Sequence, residues 1–97
     1  MTEELERLLT KVNDVVDRMP ASFNTYEFVQ KLALHHQGAY FAAGHSLAEQ
    51  PLPVLKLIHR QVGEVLGSSD RLIEGAHLAC VTPWGETASS PRWHRKA

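Results

Sequence analysis

The spacing of apolar residues changes once along this chain, near Gly67 to Arg71, and that change sets the order of the elements. Up to Leu66 the apolar residues recur at steps of three and four, the period of a helix with one buried stripe. From Arg71 onward the pattern is that of strands: Ala76 to Val81 is apolar with a β-branched end, and Pro83-Trp84-Gly85 is a turn signal. Helices therefore come first and a hairpin last. The expected fold is α+β, mainly α, with a three-helix core followed by a β-hairpin, in a single domain over residues 1–97.

The helical part divides at its prolines. Leu5, Leu8, Leu9, Val12, Val15, Val16 and Met19 make one stripe, so Thr2 to Met19 is read as the first helix, with Thr2 as N-cap and Pro20 as its end. The second helix has the clearest start. In Phe23-Asn24-Thr25-Tyr26-Glu27-Phe28, Asn24 fits the N-cap and Glu27 the reciprocal position of a capping box. Phe23 and Phe28 fall at the two ends of a hydrophobic staple. This helix is expected either to run to about Glu49 or to bend near Gly38. Pro53 opens a third helix that runs to about Leu66, with Gly67 as its stop. Its expected buried stripe is Val54, Leu55, Ile58, Val62, Val65 and Leu66, which leaves Lys56, His59, Arg60 and Gly63 on the other side. In the hairpin, Pro91 to Lys96 is the expected return strand. It is placed at a sheet edge, because proline lacks the donor that a central strand uses.

Composition excludes several classes. No apolar run approaches the roughly 20 residues of a membrane span. The acidic start, Met1 to Glu6, is not followed by an apolar segment with a cleavage site, so a secretory signal is not expected and the cytoplasm is the default compartment. Cys80 is the single cysteine and can form no internal disulfide. No phosphate-cradling glycine loop or nucleophile elbow occurs, so catalysis is not expected. His35 and His36 are neighbours rather than four apart, and no metal or other cofactor is expected.

Charge is uneven although the net charge is only −1. Residues 1–20 hold three cations against five acids; residues 51–97 hold six against four. The basic share gathers in two places. Lys56, His59 and Arg60, with Gln61 beside them, lie on the third helix, where phosphate-reaching cations flank groups able to touch base edges. Arg92-Trp93-His94-Arg95-Lys96 ends the hairpin, and Trp84 stands at its turn. Rings interleaved with cations suit a nucleic-acid backbone. The candidate nucleic-acid contacts are therefore Lys56, His59, Arg60, Gln61, Trp84, Arg92, Arg95 and Lys96.

Three stretches carry a family resemblance: Phe23-Asn24-Thr25-Tyr26-Glu27-Phe28, His59-Arg60-Gln61-Val62-Gly63 and Trp93-His94-Arg95-Lys96. With the order helix, helix, helix, hairpin, the chain resembles the winged helix-turn-helix superfamily, in its small bacterial or phage-type members. The resemblance implies binding of double-stranded DNA and transcriptional regulation, with the third helix in the major groove and the hairpin as wing. A homodimer would suit such a role. The alternative is a small protein-interaction module, a regulator or inhibitor that docks a protein partner through its acidic first helix or the small-residue surface of the second.

Overall fold

The computed structural model describes residues 2–51 and 53–96. Its elements are α1 (Glu3–Leu9), α2 (Val12–Val16), β1 (Ser22–Asn24), α3 (Thr25–His35), α4 (Gln37–Ser46), α5 (Val54–Gly67), β2 (Leu72–Val81) and β3 (Thr87–Arg95). Helices followed by a C-terminal hairpin are what the change of period predicts.

The first expected helix is two. Its stripe is intact, since Leu5, Leu8, Val12, Val15, Val16 and Met19 are all buried, but the ladder breaks at Thr10 and Lys11. The Thr10 hydroxyl donates to the Arg7 carbonyl at 2.6 Å and competes with the helical bonds there. Thr2 caps α1, its hydroxyl accepting from the Leu5 amide.

The second expected helix also divides, at His36, two residues before the expected bend at Gly38. His36 has left helical geometry, with φ −132° and ψ 54°, and ends α3 while preceding α4. The capping box at Asn24 and Glu27 is complete, with both reciprocal bonds at 2.8 Å. The small-residue segment α4 lies chiefly against α1, and the Thr2 and Ser46 hydroxyls meet at 2.8 Å between them.

Phe23 does more than staple α3. It sits in β1, a strand the apolar pattern did not indicate, which pairs antiparallel with β3 through Ser22–His94, Phe23–Trp93 and Asn24–Arg92. The sheet order is thus β1-β3-β2, and β3 is the central strand rather than an edge. Its proline is tolerated for local reasons. β1 ends opposite Arg92, one residue short of Pro91. On the other side, β2 carries a bulge between Glu74 and His77, just where Pro91 pairs. Proline is confined to edges and bulges because it cannot donate to a ladder, and Pro91 has a bulge on one side and no strand on the other. Gly75 lies in the bulge; a Cβ there would fall 2.7 Å from the Arg92 carbonyl oxygen and 2.7 Å from the His94 ring.

One core joins helices and sheet. Phe23 and Phe28 stack at 5.7 Å, surrounded by Leu8, Val12, Val15, Leu32, Ile58, Val62 and Leu66. Trp93 closes this core from the sheet side and is 2% exposed. Its indole N–H donates to the Thr25 hydroxyl at 2.9 Å, and the Thr25 amide donates to the Ser90 hydroxyl at 3.1 Å. Beyond the bulge the hairpin is an arm with little cover: Leu78 and Val81 are 55% and 70% exposed.

Candidate nucleic-acid interface

Helix α5 leads through a short turn into β2, so the hairpin lies beside the helix that precedes it. Between them runs a groove of about 690 Å³, whose helix wall is formed by Lys56, Arg60, Gly63 and Glu64. At one end of the groove the hairpin tip folds back onto α5. Trp84 meets His59 edge-on, with centroids 5.2 Å apart, and meets Tyr26 edge-on at 5.9 Å; Tyr26 and His59 are 5.1 Å apart. Lys56 Nζ lies 3.4 Å from Glu86 Oε2, a second tie between helix and tip.

The tip itself is stiff. The Thr82 amide donates to the Glu86 carbonyl at 2.7 Å, the Gly85 amide to the Thr82 carbonyl at 2.9 Å, and the Glu86 amide to the Thr82 hydroxyl at 3.0 Å. Gly85 has φ +87°, the left-handed region in which a side chain is strained.

The expected exposed face of α5 needs one correction. His59 is buried, at 8% exposure, while Leu55, expected in the stripe, is substantially exposed. On a helix His59 lies about 20° from Leu66 around the axis, so it belongs to the margin of the apolar stripe. Tyr26 and Trp84 then cover it. Its Nδ1 is 2.6 Å from the Leu55 carbonyl oxygen, an atom that only accepts, so Nδ1 carries the proton and Nε2 is left with a lone pair. Among the described residues Nε2 has no hydrogen-bond partner, and neither does the indole N–H of Trp84. Burial holds the His59 pKa below its ordinary value, against the opposing pull of the Leu55 bond. Burial likewise raises that of Tyr26.

The eight candidate contacts do not form one surface. Lys56, His59, Arg60 and Trp84 share the groove. Gln61 lies in a separate depression with Leu57, Leu47 and Thr2. Arg92 and Arg95 are at the base of the hairpin. Arg92 donates to Ser22 Oγ at 2.8 Å and Glu27 Oε1 at 3.0 Å, and Arg95 donates to the Met19 carbonyl at 2.8 Å. Lys96 follows them with an exposed side chain. The nine residues of β3 separate base from tip, about 26 Å at the usual strand rise. Arg92 and Arg95 thus tie β3 to β1, to α3 and to the segment after α2.

Residues the sequence did not single out complete the site. Tyr26 follows the N-cap of α3 and forms the wall behind His59, and Glu86 neutralises Lys56. Tyr26 could have been suspected from its place inside the capping box. Glu86 carries no local signal, because its role depends on how the tip folds back.

Among the described residues no group of three acids, histidines or cysteines could hold a metal ion, and no helix is long and apolar enough to cross a membrane. No protein-family model matches the chain, and no curated protein or solved structure matches it either.

Proposed function

We propose that the chain is a winged-helix DNA-binding module that serves as a transcriptional regulator. Helix α5 enters the major groove and the β2–β3 hairpin acts as the wing. One observation carries this reading: α5 runs into the hairpin and turns a polar face, Lys56, Arg60 and Glu64, to the groove beside it, within the connectivity helix, short strand, helices, hairpin and the sheet order β1-β3-β2. That connectivity supports a winged-helix reading, in which α3 and α4 together take the place of the second helix. Lys56 and Arg60 supply the phosphate contacts from α5, and Trp84 reaches the backbone from the hairpin tip, these three lining one groove. His59 acts from behind by holding the wing tip rather than by reading bases.

The reading is tested by fluorescence anisotropy on a labelled duplex from about 50 to about 200 mM salt. Affinity is expected to fall steeply, and Lys56→Ala or Arg60→Ala is expected to make the logarithmic salt slope shallower by about one each. Binding that ignores salt would sink the reading.

A second reading, a protein-interaction module, draws support from a different observation. Several described cations are engaged within the molecule: Arg7 with Glu3, Arg71 with Asp17, Arg92 with Glu27 and Lys56 with Glu86. Meanwhile Phe41 on α4 and Leu78 and Val81 on the arm are exposed. Absence of duplex binding even at the lowest salt would favour it.

A further inference from the structure

We propose that the wing tip is a latch that occupies a phosphate contact on α5, Lys56, with the Glu86 carboxylate standing where a phosphate oxygen would stand. The inference rests on the DNA-binding reading and adds a regulation of it: the free protein fills one of its own phosphate contacts.

Three observations converge. First, Glu86 Oε2 lies 3.4 Å from Lys56 Nζ, and both side chains are more than half exposed. A carboxylate oxygen and a phosphate oxygen make the same demand on an ammonium group, so the two compete for Lys56. An ion pair this exposed contributes little, which lets a phosphate displace it.

Second, the closed tip is imperfectly satisfied. His59 Nε2 and Trp84 Nε1 are both buried without a partner, one an acceptor and the other a donor. Each loses its bond to water and gains none in return, which offsets part of the ring contacts that hold the tip down. Once the tip lifts, the indole N–H is free to donate to a phosphate oxygen and His59 Nε2 to accept from water. An open state would therefore satisfy polar atoms that the closed state does not.

Third, the tip is built to move as one piece. Residues 82–86 are cross-braced by three hydrogen bonds to Thr82, whereas the β2–β3 ladder is interrupted at the bulge between Glu74 and His77. The pairs from His77–Pro91 to Val81–Thr87 are continuous, so arm and tip form one unit whose bend lies at the bulge. Beside the tip, on α5, Arg60 is exposed and has no ion pair among the described residues, and Gly63 presents no side chain to a backbone approaching the groove. With Glu86 lifted, the helix side of the groove offers two cations, Lys56 and Arg60, one turn apart beside Glu64.

The test uses the full chain, a labelled duplex and the indole N–H signals of the two tryptophans in a ¹⁵N spectrum, with Trp84→Phe to assign them. Glu86→Gln keeps the shape of the side chain and removes the competitor. It is expected to tighten duplex binding about two- to fivefold, a gain the size of an exposed ion pair. The same substitution in a Lys56→Ala background is expected to give no gain. The Trp84 indole signal is expected to shift when duplex is added, while that of Trp93 stays. An equal gain in both backgrounds would mean a general charge effect and would overturn the latch, as would a Trp84 signal unmoved by duplex. If neither the wild-type chain nor Glu86→Gln binds duplex, the DNA-binding reading fails on its own. The latch is then judged in the free protein: faster hydrogen exchange of the Trp84 indole in Glu86→Gln supports it, and unchanged exchange overturns it.

Discussion

The two tryptophans stand at opposite ends of one hairpin and are held in opposite ways. Trp93, at the base, fills the core and its N–H is bonded to Thr25, which is bonded in turn to Ser90. Trp84, at the tip, rests on two other rings with its N–H unpartnered. The first indole is apolar volume with a satisfied polar handle. The second has ring contacts and a handle left over. The difference separates what builds the fold from what is poised to leave it: a group with every bond made has nothing to gain by moving, and a group with one bond missing has.

The sharpest way to break this comparison is to truncate both rings. Trp93→Ala is expected to cost about 3–5 kcal/mol of unfolding free energy, the range for a large aromatic removed from a core. Trp84→Ala is expected to cost about 1 kcal/mol, the scale of its ring contacts. Urea unfolding of the two variants measures both. Equal costs would mean that the tip is as structural as the base.

A smaller effect isolates the polar handle. Thr25→Val keeps the shape of the side chain and leaves the Trp93 N–H buried without an acceptor, at an expected cost of about 1–3 kcal/mol. The Trp93 indole signal should move and that of Trp84 should not. A neutral substitution would show that the satisfied handle at the base is no better held than the orphan at the tip.

The smallest effect is one of pH. Burial lowers the His59 pKa from its ordinary 6.5, so the unfolded chain takes up the proton before the folded chain does. The contribution of neutral His59 is complete above about pH 6.5 and is lost as pH falls from there through the folded value. Urea midpoints measured from about pH 8 to about pH 5 should therefore decline on the acid side, and His59→Leu should flatten the decline. Asp14, held low by its hydrogen bond to His36, acts below its ordinary 3.8 and outside this window. An unchanged slope in His59→Leu would place the titration elsewhere.

What could be read in the sequence was what depends on near neighbours. The capping box at Asn24 and Glu27 is complete because both partners lie within one turn, and the stripe of the first segment is buried because helical period alone aligns it. What could not be read depends on pairing across the chain. β1 is three residues long and exists because Phe23 meets Trp93, 70 positions away. The central place of β3 follows from that pairing, and with it the correction to Pro91. At the site, Lys56 and Arg60 lie exposed on α5 as their spacing implied. His59 departs from its expected exposed side because it sits at the margin of its stripe, where the outcome is decided by whether a distant ring covers it. Composition joins Arg92 and Arg95 to Trp84 as candidate contacts, whereas the length of β3 keeps them at the other end of the hairpin, bonded to Ser22, Glu27 and Met19.

Pro91 has a consequence for mechanics. Because it offers no donor toward the side where β1 ends, the third strand cannot be extended along the arm, and beyond Pro91 the sheet is only two strands wide. Two-stranded ribbons coil more strongly than broad sheets, since less cross-strand packing resists the natural twist of the chain. A single ring on the backbone thus sets the pitch and compliance of the arm, and so the angle at which anything carried on its end arrives.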